Sequence, residues 1–228
     1  MQTYTTKIIA HIRSDFPTKF GIPRQSGLVQ ELQSTIVFEP EFRNPDALRG
    51  LDGFSHIWLI WQFSEAIREE WSPTVRPPRL GGNTRLGVFA TRSPFRPNAI
   101  GLSCVRFCGL ENTKEHGTVI HVSGADLMNG TPILDIKPYI PYADMQPDAV
   151  GGFTDTALDF LLEVDFPEPL LALLPKEKRQ AAYNVLTHDP RPSYQKDPER
   201  IYGLPFAGFD IRFRVSGGIL HVLEVNLL

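Results

Sequence analysis

The stretch His56-Ile57-Trp58-Leu59-Ile60-Trp61-Gln62-Phe63 decides the fold class. It is almost wholly apolar, the pattern of a strand buried on both faces. Working outward, residues 3–11, 34–39, 85–91, 100–110, 117–123 and 133–139 are further short runs rich in Ile, Val, Phe and Trp. Gly, Pro, Asn or Asp bounds each of them, which is how strands are punctuated. One short helix is signalled by Asn44-Pro45-Asp46-Ala47-Leu48-Arg49-Gly50. Asn44 can cap it, Pro45 suits the first helical position and Gly50 suits the exit. Seven strands with one helix predict a mainly β fold, an antiparallel barrel or sandwich. The 20 prolines in 228 residues are about 9%, against a usual share of roughly 5%, which argues against a long helical bundle.

The texture changes after Pro141-Tyr142-Ala143-Asp144-Met145-Gln146-Pro147-Asp148-Ala149-Val150-Gly151-Gly152, which reads as a linker. Residues 158–166 read as a strand, because Val164, Phe166 and Pro167 disfavour helix continuation. Residues 169–174 and 176–188 read as a helical pair. Residues 209–215 alternate cleanly, Gly217-Gly218 makes a turn, and 219–227 returns as a second strand. The expected division is a β domain over 1–145 and a small C-terminal α/β appendage over 153–228.

Charge is unevenly spread. The chain has formal charge −3, yet residues 71–110 hold Arg76, Arg79, Arg85, Arg92, Arg96 and Arg106 with no lysine and no acid. Guanidinium groups grip phosphate or carboxylate in a bidentate fork and stack on bases, so this segment predicts a local anionic partner. A protein coating DNA non-specifically would be basic overall, which this one is not. No apolar run approaches the length of a membrane span. The N-terminal ten residues lack a basic start followed by an apolar stretch, so a cytoplasmic protein is expected. Cys104 and Cys108 form neither a disulfide framework nor a complete zinc site, and no metal is expected.

No nucleophile elbow, Walker loop or dinucleotide fingerprint is present. Three polar segments stand out instead. Gly21-Ile22-Pro23-Arg24-Gln25-Ser26-Gly27-Leu28 is a loop that presents Arg24 and Gln25. In Thr91-Arg92-Ser93-Pro94-Phe95-Arg96-Pro97-Asn98-Ala99-Ile100-Gly101-Leu102-Ser103, two prolines stiffen a loop that carries two arginines. In Asp126-Leu127-Met128-Asn129-Gly130-Thr131-Pro132-Ile133-Leu134-Asp135-Ile136-Lys137-Pro138-Tyr139, alternation puts Asp135, Lys137 and Tyr139 on one strand face. That face reads equally well as a site or as a salt-bridged edge.

Together these segments resemble the signature of the TsaA-like (YaeB) family of tRNA methyltransferases, over residues 5 to 145. The later His188-Asp189-Pro190-Arg191-Pro192-Ser193-Tyr194-Gln195 and Tyr202-Gly203 resemble the C-terminal extension of its bacterial members. The resemblance implies an antiparallel β-barrel that binds S-adenosylmethionine without a Rossmann sheet, acting as a homodimer with the cofactor near the subunit interface. It implies methyl transfer to N6 of threonylcarbamoyladenosine at position 37, beside the anticodon, so the partner is the anticodon arm of tRNA. By the same resemblance, cofactor contacts fall on Pro23, Arg24, Gln25, Trp61, Gln62, Arg92, Leu102, Asp126, Leu127, Met128 and Asn129. The catalytic candidates come from the residues themselves. Asp135 would accept the N6 proton, Tyr139 would orient the base, and Lys137 would bind the carbonyl or threonyl carboxylate. Two other readings stay open, an RNA-binding module without cofactor and a barrel hydrolase built on Ser26 or Ser103.

Overall fold

The computed structural model describes residues 2–68, 70–77, 80, 83–155, 161–192, 195 and 197–228. Arg79, Ser193, Tyr194 and residues 158–160 of the expected strand therefore lie outside the described residues. The N-terminal part is an antiparallel sheet of β1 (Ala10–Arg13), β2 (Gln33–Phe38), β3 (His56–Gln62), β6 (Ile100–Thr113), β7 (Gly117–Ser123) and β8 (Pro132–Pro138). The pairing order is β1-β2-β7-β6-β3-β8, and β8 returns to β1 through Ala10↔Ile133 and His11↔Pro132, which closes the sheet on itself. Between β3 and β6, β4 (Thr74–Val75) and β5 (Leu86–Gly87) make a separate two-stranded ribbon.

Several expectations need adjusting. Strand β3 is not buried on both faces: Ile57, Leu59 and Trp61 point into the core, while Trp58, Ile60 and Gln62 are half-buried on the outside. Their bulk on the outer face makes an alternating strand look continuously apolar. The first strand begins at Ala10 instead of residue 3, although Ile9 N–H already donates to the Ile133 carbonyl at 2.9 Å. Residues 85–91 give only the two residues of β5, followed by a 3-10 turn over Val88–Ala90. The short helix is a 3-10 helix over Pro45–Leu48, and the Asn44 side chain accepts from Asp46 N–H at 3.0 Å as its composition predicts.

After the short helix α1 (Pro141–Asp144), the C-terminal part contains a second sheet, β10 (Tyr202–Phe206), β11 (Phe209–Ser216), β12 (Ile219–Leu227) and β9 (Glu163–Asp165), with α2 (Glu168–Leu171) and α3 (Lys176–Thr187). Ala181, Ala182, Val185 and Leu186 form the buried stripe of α3. This sheet has its own buried cluster around Phe206, Ile211, Phe213 and Leu220, and the cluster also takes in Phe16, Val29 and Leu32 from the N-terminal part. Phe16 meets Phe206 edge to face at 5.3 Å, and Lys178 pairs with Asp15 at 2.6 Å, both side chains mostly buried. The segment joining β1 to β2 is thereby pinned to the C-terminal sheet.

Candidate active site

One end of the N-terminal sheet opens into a cavity of about 930 Å³. Three polar segments wall it, together with residues 61–68 at and beyond the end of β3. The first is the loop 21–28, which the C-terminal core holds from behind: a side chain at Gly21 would run into Leu204. Its far end is tied to the turn after β7, where Gly27 N–H donates to the Gly124 carbonyl at 2.8 Å. The second is the loop 91–99, which is stiffened internally. Thr91 and Ser93 hydroxyls accept from the N–H groups of Ser93 and Phe95 at 3.2 and 3.3 Å, and Arg96 donates to the Thr91 carbonyl at 3.1 Å. The third is the turn 124–131. Arg92 bridges the first two by donating to the Gln25 side-chain carbonyl.

At the back of the cavity lies a chain of three hydrogen-bonded side chains. The Trp61 indole N–H donates to Ser103 Oγ at 3.0 Å, and the Ser103 hydroxyl donates to Asp126 Oδ1 at 2.6 Å. Ser103 is almost fully buried and Trp61 nearly so. Trp61 lies flat across Gly101, whose missing Cβ leaves the room its ring occupies. Phe63 tilts against Trp61 at 4.2 Å. Burial pushes the Asp126 carboxyl above its ordinary range. The Ser103 hydroxyl, the backbone N–H groups of Asp126 and Ser26, and the Arg92 charge pull it back. A carboxylate held in this way, on a cavity wall, is an acceptor suited to paired hydroxyl donors.

Of the positions that the resemblance assigns to the cofactor, Pro23, Arg24, Gln25, Trp61, Gln62, Arg92, Leu102, Asp126 and Met128 line the cavity. Leu127 and Asn129 do not. Successive residues of the turn point opposite ways, so Leu127 enters the core and the Asn129 side chain accepts from Ser14 N–H at 3.2 Å. Thr131, Phe63, Arg68, Phe95, Arg96 and Asn98 are lining residues beyond the expected set. The stiff polar loop 91–99 was the available signal for the last three.

Asp135, Lys137 and Tyr139 come together, but not in the cavity. Asp135 and Lys137 pair at 2.8 Å on the outer face of β8, with both side chains largely exposed. Tyr139 rests against His56 and Trp58, and the Trp58 indole donates to Asp144 at 3.0 Å. Ile60 lies opposite both Asp135 and Leu102. Asp135 thus stands two strand spacings from the cavity-lining Leu102, roughly 10 Å across the outer face. Among the described residues, no group of three or more His, Cys, Asp or Glu is placed to hold a metal. No helix among them is long and apolar enough to cross a membrane. In the C-terminal part, Arg191 is gripped by Asp189 through two bonds of 2.8 and 2.9 Å.

Residues 11–145 match the tRNA-methyltransferase O N-terminal domain, and residues 160–227 match the TrmO C-terminal domain. The chain is 40% identical over 234 residues to the tRNA (adenine(37)-N6)-methyltransferase of Escherichia coli K12, covering 99% of each. It is 40% identical over 241 residues to a Pseudomonas aeruginosa protein described as a putative S-adenosylmethionine-dependent methyltransferase, covering 98% of each. A crystal structure of TrmO from P. aeruginosa superposes with a TM-score of 0.81 at 35% identity, covering 100% of this chain and 99% of that one.

Proposed function

The chain belongs to the tRNA-methyltransferase O family, and from that premise we propose that it methylates N6 of adenosine 37 in tRNA with S-adenosylmethionine. The observation that carries this reading is the cavity, which gathers a buried carboxylate, arginines and aromatic walls from three separate loops and the end of β3. Its volume is near the top of the roughly 300–1,000 Å³ range of ligand sites, enough for a cofactor and part of a nucleoside. Asp126 suits the ribose hydroxyls, Arg92 and Arg24 suit the methionine carboxylate, and Trp61, Phe63 and Leu102 give the adenine apolar walls. When bound, S-adenosylmethionine supplies a methyl group on a sulfonium that leaves readily. The stiff loops then hold donor and acceptor in line.

The acceptor is the harder problem, because its N6 lone pair is delocalised and its proton must leave. We read the substrate as threonylcarbamoyladenosine, whose carbonyl and carboxylate complement cationic groups. Asp135, Lys137 and Tyr139 are the groups we assign to the proton, the threonyl carboxylate and the base. Their place on the outer face, beside exposed Leu102 and Ile100, puts them two strand spacings from their own cavity, so we assign that face to self-association as a homodimer in which they serve the reaction at the partner subunit's cavity. We read the closed sheet, residues 1–145, as a β-barrel domain and residues 153–228 as the appendage, with the cytoplasm as the site of action.

The test is methyl transfer to one tRNA prepared with and without threonylcarbamoylation, read by nucleoside mass spectrometry. A site built to pair a polar substrate group rejects the analogue lacking it by on the order of 10⁴–10⁵. Transfer to neither RNA would sink the reading. Equal single-turnover rates on both would remove Asp135, Lys137 and Tyr139 from their roles.

A further inference from the structure

The ribbon between β3 and β6 does more than join them. Thr74 pairs with Gly87 and Val75 with Leu86, and Val88 N–H donates to the Pro73 carbonyl at 3.0 Å. This ladder brings the residues just outside it, Trp71 and Phe89, face to face. Their rings stack at 6.0 Å with planes 29° apart. Both are exposed, Trp71 at 50% and Phe89 at 72%, and Phe89 lies on the rim of the cavity. Beside them the Arg68 guanidinium lies 3.8 Å over the Phe95 ring, also on that rim. Arg76, Arg85 and Arg92 are exposed in the same segment, and residues 71–110 contain no acid.

Aromatic faces left to water and held in a stack, in a segment whose charges are arginines apart from Glu70 at its edge, match one partner chemistry. Unstacked bases on a phosphate chain offer flat π faces and negative charge together. A protein partner would need an apolar surface studded with acids at the same spacing. A base entering the cavity must first leave its own stack, and its neighbours then need a new surface.

We propose that Trp71 and Phe89 form a stacking platform for an unstacked base adjacent to the adenosine that enters the cavity. The proposal rests on the tRNA reading above and adds the residues that hold the loop open. Trp71 does not line the cavity and is half-exposed, so Trp71→Ala should fold and bind S-adenosylmethionine as the unaltered protein does. Its affinity for threonylcarbamoylated tRNA should fall roughly fivefold to a hundredfold, the usual span for one lost base stack. The slope of log affinity against log salt should not change, because no phosphate contact is lost. Trp71→Phe should recover most of the affinity. A single-stranded oligonucleotide of the anticodon-loop sequence should quench tryptophan fluorescence in the unaltered protein, whereas the same oligonucleotide in a duplex should not. Trp71→Phe should lose that quenching.

Failure of the unaltered protein to bind the tRNA would overturn the functional reading beneath the proposal. Normal tRNA binding by Trp71→Ala would overturn the platform alone. Loss of self-association in Trp71→Ala, with tRNA affinity per assembled protein unchanged, would give the surface to a second copy of the chain and equally overturn it.

Discussion

Replacing Ser103 by alanine tests the cofactor assignment most directly, because Ser103 does not line the cavity itself and reaches it through Asp126 and Trp61. The substitution deletes the 2.6 Å donor to the Asp126 carboxylate and the 3.0 Å acceptor of the Trp61 indole, and it leaves the backbone of β6 intact. Hydrogen bonds to a charged group are each worth about 1.5–3 kcal/mol. If that energy is needed to keep Asp126 ionised and aimed at ribose hydroxyls, S-adenosylmethionine affinity should drop roughly tenfold to a hundredfold. The sign of the pH effect follows from the causes acting on Asp126. Burial raises its pKa and Ser103 lowers it, so removing Ser103 raises it further. The charged groups or donors facing Asp126 that remain are Arg92 and the backbone N–H groups of Asp126 and Ser26, and none of them changes. Cofactor affinity should therefore weaken as pH falls through the Asp126 pKa, and in Ser103→Ala the weakening should begin at higher pH. For folding the sign is opposite: a carboxyl whose folded pKa is raised favours the native state at low pH and loses that contribution as pH rises. Calorimetric titration across pH, with circular dichroism to check the fold, reads both effects. Affinity within twofold of the unaltered protein at every pH would refute the reasoning.

Two further outcomes follow from the same geometry. Gly101→Ala places a Cβ within the Trp61 ring, so the indole must move; overpacking of this kind costs about 1–3 kcal/mol, and both the melting temperature and cofactor affinity should fall. A chain ending at Gly152 exposes Phe16, Val29 and Leu32, which sit in the C-terminal core; each fully buried apolar side chain is worth about 1.5–3 kcal/mol, so the shortened chain should bind S-adenosylmethionine weakly, and full affinity would show that the loop 21–28 stands without its support.

The sequence showed strands where apolar runs met turn residues, and β2, β7, β11 and β12 lie within a residue or so of their expected bounds. It hid β10 because Gly203 and Pro205 are breakers in most settings. Proline is tolerated here because, among the described residues, β10 is the edge strand of its sheet. Ser103 was hidden for a different reason. On β6 the usual alternation is inverted, with Gly101, Ser103 and Val105 inward and Ile100, Leu102 and Arg106 outward. No periodicity rule assigns a glycine and a serine to the core side. Only the Trp61 ring, arriving from the neighbouring strand, fills the space they leave. The arginines of 71–110 were legible as a group, but the Trp71–Phe89 stack was not, since it depends on the ribbon register that pairs Val75 with Leu86.

The C-terminal part also takes on a different meaning once its contacts are counted as forces on the site. In sequence, Asp189-Pro190-Arg191-Pro192 is a stiff loop, and an arginine so placed suggests a phosphate contact. In the folded chain its guanidinium is mostly buried and held at two points by Asp189, whose carboxylate raises its pKa. A phosphate would have to displace a two-point ion pair to reach it, which returns little net energy. The stronger link to function runs through the segment 15–32. Its Asp15, Phe16, Val29 and Leu32 belong energetically to the C-terminal sheet, while Gly27 is bonded to the turn that carries Asp126. Pro23, Arg24 and Gln25 lie between those two anchors. Any motion of the C-terminal sheet against the N-terminal one must therefore move the cofactor loop, so the two parts act on the cavity together.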